Sequence, residues 1–200
     1  SDKVAQAIYE HYLPAGHESP APESLAGALV SMADKADTLA GCFGLKMIPT
    51  GANDPYALRR CALGICRIIM EKGLRLNLDT LLRQAIRGYG DMDWKLPEEQ
   101  SFTAMHDFFA QRLKALFTSQ GYSTLAVEAA VGAGITDVWG LKARLEALET
   151  FSRESDFEQA VLTFKRAGNI IRKQGQEAGQ KLTGVVSDSL LQEEQEKQLA

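Results

Sequence analysis

The sequence contains few cysteines and no long hydrophobic run. Its three cysteines, Cys42, Cys61 and Cys66, form no CxxC pair, which excludes a zinc ribbon or a disulfide framework and favours a reducing compartment. The longest apolar run, CALGIC at residues 61–66, is far shorter than the roughly 20 residues that cross a bilayer, and the first residues resemble no signal peptide. These absences predict a cytoplasmic protein with no membrane partner.

A strong charge of one sign is also missing. The chain has 22 basic and 26 acidic residues, and its net charge is -4. This balance excludes a nonspecific DNA coat, and we expect no DNA partner. Any contact with RNA must come from a local basic patch. With 45% hydrophobic residues, the 200-residue chain can bury a core in one or two domains.

The hydrophobic pattern is helical almost throughout, and no run alternates as a strand does. We therefore predict an all-α, multi-helix bundle. Pro14, Ser24, Gly73 and similar residues mark helix ends. The predicted helices cover 3–13, 24–43, 54–72, 77–88, 98–120, 123–131, 137–149 and 156–173. The loop-like DMDWKLPEEQ predicts two helical portions joined near residues 91–98, which gives the segments 1–91, 92–150 and 151–200.

The predicted helix at 54–72 has unusually strong start signals, with Asp54 at the cap position and Pro55 at the first helical position. Most of its surface is apolar, so we expect it to be central, and arginines on such a helix need partners. Asp34 and Asp37 share a face of the preceding helix. Because arginine guanidinium groups in proteins commonly bind carboxylates, we interpret these residues as a set of structural ion pairs. A metal ligand at Asp34, or phosphate binding by the arginines, stays open as an alternative. The candidate ion-pair residues are Asp34, Asp37, Arg59, Arg60 and Arg67.

The doublet His106-Asp107 is typical of some metal-dependent phosphohydrolases, which use such pairs as ligands. No second histidine cluster lies near it in the sequence, since His11 and His17 belong to other segments. We therefore expect no metal site and no catalytic residue, and we expect the cysteines to be small apolar fillers.

The predicted helix at 156–173 carries the local basic patch. An apolar stripe runs through Phe157, Val161, Phe164, Gly168 and Ile171, and four cations fall within nine residues on the other side. A solvated helix face is one interpretation of these cations, and contact with RNA phosphates is the other. The candidate RNA-binding residues are Lys165, Arg166, Asn169, Arg172 and Lys173.

Several segments together resemble one family. They are EHYLP, MADKADTLAGCFGLKMIPTGANDPYALRRCALGICRIIMEKGL and FKRAGNIIRK. They are similar to the β subunit of bacterial glycyl-tRNA synthetase of the two-subunit type, and weaker similarity extends over nearly the whole chain. The resemblance identifies an interior segment of a much longer subunit.

The resemblance implies an α2β2 enzyme that joins glycine to tRNA-Gly with ATP and Mg²⁺. The chemistry would belong mainly to the α subunit, so this segment would be noncatalytic and would bind no cofactor itself. Residues 1–91 would be the C-terminal part of an HD-like helical domain with Asp34 as its trailing aspartate, 92–150 a helical linking region, and 151–200 the start of the anticodon-binding region. The resemblance favours RNA proximity for the basic patch. The alternatives are a remnant of an HD-type metal-dependent phosphohydrolase and a helical scaffold that docks the α subunit.

Overall fold

The structure, a computed structural model, describes residues 1–16 and 18–178, with side chains through Lys173. These residues form eight helices and no strand, apart from two isolated bridges. The all-α prediction is confirmed. The helices are α1 (Asp2–Glu10), α2 (Leu25–Gly44), α3 (Leu58–Lys72), α4 (Leu78–Arg87), α5 (Glu98–Ser119), α6 (Thr124–Gly132), α7 (Val138–Phe151) and α8 (Phe157–Ala178).

Most helix ends follow the capping residues that the sequence indicates. The Ser24 hydroxyl accepts a hydrogen bond from the Gly27 amide at 2.9 Å, and the Asn77 side chain accepts one from the Thr80 amide at 2.8 Å. Gly73 ends α3 with a left-handed φ of 62°, which a glycine adopts without a steric penalty. Single-sequence capping rules therefore place these ends within a residue or two.

The start of α3 differs from the prediction. The helix begins at Leu58 rather than at Asp54, because residues 54–57 form a turn that ends at Ala57 with φ 54°. Asp54 still caps the helix from this turn, since its carboxylate accepts from the amides of Leu58 at 2.8 Å and Arg59 at 3.0 Å. Pro55 lies in the turn and not at the first helical position.

Residues 1–151 form one compact unit with a continuous hydrophobic core. Helix α2 packs against α1, α3, α4 and α5, and α3 also packs against α5 and α7. The approach of α2 and α3 is close at Gly64, where an added Cβ would lie 2.9 Å from Cε of Lys35. Such a contact requires glycine unless the lysine moves.

The core continues across the predicted linker. Trp94 packs on Gly44 at the end of α2, where an added Cβ would lie 2.0 Å from Cε3 of its ring. The Leu96 amide donates to the Gly44 carbonyl at 3.0 Å. Residues 91–98 are thus bound to α2, while the assignment of 1–91 and 92–150 to separate regions of the family stays a prediction.

Residues 152–200 form a second unit, of which the structure describes 152–178. Helix α8 makes up most of this described part. From Val161 to Lys173, every side chain of α8 is exposed. The identification of this unit with an anticodon-binding region stays a prediction.

Candidate nucleic-acid interface

The basic patch is an exposed face of α8. At 3.6 residues per turn, Lys165, Arg166, Asn169, Arg172 and Lys173 fall within an arc of about 120°. Between Phe157 and Lys173 the helix has one acidic residue, Glu158, against these four cations. Arg172 donates through Nη2 to the Asn169 side-chain oxygen at 2.7 Å, so these two side chains support each other along the face. In the described part of the chain, no carboxylate pairs with Lys165 or Arg166.

An apolar stripe borders this cationic face. Phe164 is 74% exposed and Ile171 is 53% exposed, and Val161 lies on the same stripe. Exposed aromatic and cationic side chains on neighbouring strips of one helix are a combination that nucleic-acid-binding surfaces use, because bases stack on the one and phosphates pair with the other. The geometry of α8 is therefore compatible with an RNA contact.

The arginines of α3 behave differently from one another. Arg67 is half-buried and donates to Glu71 at 3.0 Å and to the carbonyls of Gly16 at 3.2 Å and Ser19 at 3.1 Å. Arg59 donates to the Gly51 carbonyl at 2.5 Å and lies 4.0 Å from the Asp54 carboxylate. Arg60 is exposed. The partners of the two paired arginines are local or come from loops that precede α2 and α3.

Asp34 and Asp37 are both exposed on α2, so burial does not force either to pair with an arginine. The Asp37 carboxylate instead accepts a hydrogen bond from the Tyr89 hydroxyl at 3.1 Å, and the Asp37 carbonyl accepts one at 3.0 Å. Burial of the Tyr89 phenol and the adjacent Asp37 charge raise the pKa of Tyr89 to about 12. The structure therefore gives Asp37 and Arg67 partners other than each other, and the expected pairing of Asp34 or Asp37 with these arginines does not occur between residues that the structure describes.

Arg60 and Arg67 do share one feature, a cavity of about 500 Å³ bounded by α3, α5, α7 and the loop after α1. Leu63, Met70 and Leu116 supply apolar walls, and Lys142 adds a third cation. Arg67 already donates to a carboxylate and to two carbonyls. Its guanidinium therefore stabilises the wall of the cavity and is poorly suited to bind a ligand there.

The two residues of the doublet His106-Asp107 lie in different surroundings. His106 Nε2 lies 3.8 Å from the Asp79 carboxylate, and the other oxygen of Asp79 accepts from the Thr136 hydroxyl at 3.0 Å. Asp107 is exposed on α5. Across residues 1–16 and 18–178, no three His, Cys, Asp or Glu side chains are grouped so that they could hold a metal ion. His17, mentioned above, lies outside the described residues.

The three thiols are poor nucleophiles in this fold. Burial raises the pKa of Cys66 to about 12, and burial also raises the pKa of Cys42 and of Cys61. A thiol needs its thiolate form to attack a substrate. Cys42 and Cys66 are buried in the core, and Cys61 is partly buried against it.

A buried cation that the sequence pattern did not single out is Lys35 on α2. Its Nζ donates to the carbonyls of His11, Tyr12 and Leu13 at 3.1 to 3.4 Å and to the Ser31 hydroxyl at 2.8 Å. Lys35 thereby binds the end of α1 to α2, and burial lowers its pKa. The available sequence signal was the position of Lys35 among apolar i, i+4 neighbours on α2. A lysine buried at such a position needs several hydrogen-bond acceptors.

The matching family model and the similar curated proteins agree with each other. Residues 1–132 match the family described as glycyl-tRNA synthetase beta subunit. The chain is 64% identical to a glycine-tRNA ligase beta subunit of Oleidesulfovibrio alaskensis over 98% of this chain and 28% of that protein. It is 61% identical to that of Solidesulfovibrio magneticus over 100% of this chain and 29% of the relative, and 46% identical to that of Lawsonia intracellularis over the same shares.

The chain thus spans less than a third of the length of these curated relatives. Among the helices within residues 1–178, none has the length and apolar character required to cross a membrane.

Proposed function

The chain belongs to the glycyl-tRNA synthetase β-subunit family, and from this premise we propose that it is a noncatalytic helical segment that helps the subunit bind tRNA-Gly and assemble with the α subunit. The parent enzyme is a glycine-tRNA ligase that joins glycine to tRNA-Gly with ATP and Mg²⁺. It acts in the cytoplasm, where its tRNA substrate is found.

The observation that carries the RNA part of the proposal is the exposed cationic face of α8. Lys165 and Arg166 have no acidic partner among the described residues, and Arg172 is oriented by Asn169 within the same helix. Pairing such cations with phosphates releases counterions from the RNA, and this release is a main source of affinity. The net charge of the chain is -4, so contact with RNA depends on this locally basic face.

The proposal that the segment is noncatalytic rests on the surroundings of its potential nucleophiles and bases. The cysteine thiols are held protonated by burial, and His106 lies beside Asp79 at the junction of α4 and α5. ATP and Mg²⁺ would be bound elsewhere in the assembled enzyme. The exposed apolar stripe of α8 favours assembly, because large apolar side chains on a surface are typical of an interface.

The proposal is tested by neutralising the face in the assembled α and β subunits. The test variant is Lys165→Gln, Arg166→Gln, Arg172→Gln and Lys173→Gln together. The matched control removes four exposed lysines of the first unit, Lys3→Gln, Lys46→Gln, Lys95→Gln and Lys142→Gln. Both variants change the net charge equally. Affinity for tRNA-Gly is measured by filter binding at physiological salt.

We expect the α8 variant to bind tRNA-Gly about 10- to 100-fold more weakly than the control variant, since each lost phosphate contact reduces the electrostatic attraction. Equal affinity of the two variants would remove the α8 assignment. Loss of co-purification with the α subunit in the α8 variant alone would instead support the helical scaffold, in which the face contacts protein.

A further inference from the structure

Helix α1 presents its apolar side outward. At 3.6 residues per turn, an arc of about 140° holds four exposed apolar residues and no charged one: Val4, Ala5, Ile8 and Tyr9. Tyr9 is 82% exposed, and Tyr12, in the turn after the helix, is 70% exposed. A surface helix of a folded domain normally buries its apolar side. In α1 that side has no covering partner among the residues that the structure describes.

Polar contacts hold the other side of α1 in place. Only Ala7 and Glu10 of this helix are buried. The Glu10 carboxylate accepts hydrogen bonds from the backbone amides of Glu23 at 3.2 Å and Ser24 at 3.1 Å. Glu10 also packs closely on α2, where a Cβ added to Gly27 would lie 2.7 Å from the Cβ of Glu10. The fold therefore fixes the orientation of α1 through its polar side and leaves its apolar side accessible.

Exposed large hydrophobic residues cluster around this helix. The side chains of Val4, Ile8, Tyr9 and Tyr12 form what we term the α1 surface. Among the described residues of the first unit, twelve large hydrophobic side chains are exposed, and seven of them lie between residues 4 and 30. Besides the α1 surface, these seven include Leu25, Leu29 and Val30 in the first turns of α2, the helix against which α1 packs. Single exposed hydrophobic residues are normal on a protein, whereas a cluster marks an interaction site.

The chemistry of the α1 surface indicates a permanent partner. An apolar patch without charged residues resembles the core of an obligate interface, which is like a domain core divided in two. The chain spans 28% and 29% of the length of two relatives, so more than two thirds of each relative lies outside the matched part. A segment on the same polypeptide is held near the surface at a high effective concentration. The remainder of such a subunit is therefore the occupant that these observations favour.

We propose that the α1 surface packs against an apolar segment of the parent β subunit that lies outside these 200 residues. The phenol hydroxyls of Tyr9 and Tyr12 require hydrogen-bond acceptors once their rings are covered, so the segment combines apolar side chains with carbonyl or carboxylate oxygens. This inference rests on the proposed function, in which the chain is a segment of a longer subunit. It does not depend on the role of α8.

Hydroxyl-radical footprinting of the assembled protein tests this proposal. The oxidation rates of Tyr9 and Tyr12 are measured in the 200-residue chain, in the parent β subunit alone and in the β subunit mixed with the α subunit. An added reporter peptide normalises the radical dose, and Tyr56, which is 50% exposed in the turn before α3, is the comparison tyrosine. Two variants of the β subunit complete the set. Ile8→Asp disrupts an apolar contact, and the matched control Ile8→Leu preserves it.

We expect Tyr9 and Tyr12 to be oxidised at least about tenfold more slowly in the β subunit alone than in the 200-residue chain, because a packed interface excludes solvent as a protein interior does. Addition of the α subunit should change these rates by less than about twofold, and Tyr56 should differ between the chain and the β subunit by less than about twofold. Ile8→Asp should return both rates to those of the chain, since an unpaired carboxylate is not tolerated in an apolar contact. Ile8→Leu should retain the protection.

Protection that arises only with the α subunit would assign the α1 surface to that partner and would overturn the proposal. Slow oxidation in the 200-residue chain that becomes faster on dilution would assign the surface to a second copy and would also overturn it. Fast oxidation in every sample, protection that Tyr56 shares equally, or protection that Ile8→Asp leaves unchanged has the same consequence. The footprint uses no tRNA, so its failure is distinguishable from failure of the α8 variant to lose tRNA affinity.

Discussion

Helices α3 and α8 both combine an apolar stripe with several arginines or lysines, yet the fold uses their cations in different ways. In α3, most of the apolar residues are fully buried, and Arg67 is bound by a carboxylate and two carbonyls. In α8, the apolar residues from Val161 to Ile171 are exposed, and Lys165 and Arg166 have no carboxylate partner among the described residues. The comparison teaches that burial of the helix, rather than its number of cations, determines whether an arginine stabilises the fold or is available to a partner.

The largest expected effect tests the burial side of this comparison. Phe109 on α5 is fully buried in the core, so Phe109→Ala should lower the free energy of unfolding by about 3 to 5 kcal/mol. Phe164→Ala on α8 removes the same atoms from an exposed site and should change it by less than about 0.5 kcal/mol. Urea unfolding followed by far-UV circular dichroism, which reports the helices of both units, measures both. Equal losses would show that α8 is buried in the native chain and would break the comparison.

A pH effect comes next, and it belongs to the first unit alone. The pKa of Tyr89 is raised from 10.0 to about 12 in the folded state, so the phenol contributes stability below about pH 10 and loses it as the pH rises towards 12. Over that range the parent should lose about 1 kcal/mol more than Tyr89→Phe, which has no titrating phenol, since solvent screens part of the effect at this partly exposed side chain. Chemical unfolding of both proteins at pH 9, 10 and 11.5 measures the difference. Parallel pH curves would mean that burial of the phenol and the charge of Asp37 do not raise the pKa of Tyr89 as described.

A smaller effect sharpens the contrast within α3. Arg67→Ala leaves Glu71 and two carbonyls without their donor and should destabilise the chain by about 1 to 3 kcal/mol. The Arg60 side chain is exposed, so Arg60→Ala should change the free energy of unfolding by less than about 0.5 kcal/mol. Thermal unfolding of the two variants decides the matter. A loss of stability in Arg60→Ala as large as that in Arg67→Ala would mean that Arg60 forms a buried ion pair after all.

Much of the fold follows from local sequence signals, because helix caps and apolar periodicity act over a few residues. Ser24, Asn77 and Gly73 each end or start a helix where the pattern indicates. The start of α3 was misplaced since a turn at residues 54–57 lets Asp54 cap the helix from four residues away. That geometry depends on the left-handed Ala57, for which the residue type gives no signal.

The partners of charged residues were harder to predict, because they depend on tertiary packing. The sequence places Asp34 and Asp37 on one helix face but does not show that both are exposed, or that Tyr89 comes from 52 residues away to bind Asp37. Lys35 carried no motif, and its role became visible only with the carbonyls around it. The candidate RNA face is different, since helical periodicity alone places its five residues on one side of α8.

The most direct measurement of the central claim is the salt dependence of tRNA-Gly binding by the assembled enzyme. A plot of log affinity against log salt should have a negative slope of about 0.7 to 0.9 for each phosphate neutralised. We predict that neutralising Lys165, Arg166, Arg172 and Lys173 makes the slope shallower by about 2 to 4, while Arg67→Ala leaves it unchanged. An unchanged slope in the α8 variant, or a shallower one in Arg67→Ala, would contradict the proposed division between Arg67, which binds within the fold, and the cations of α8, which would contact RNA.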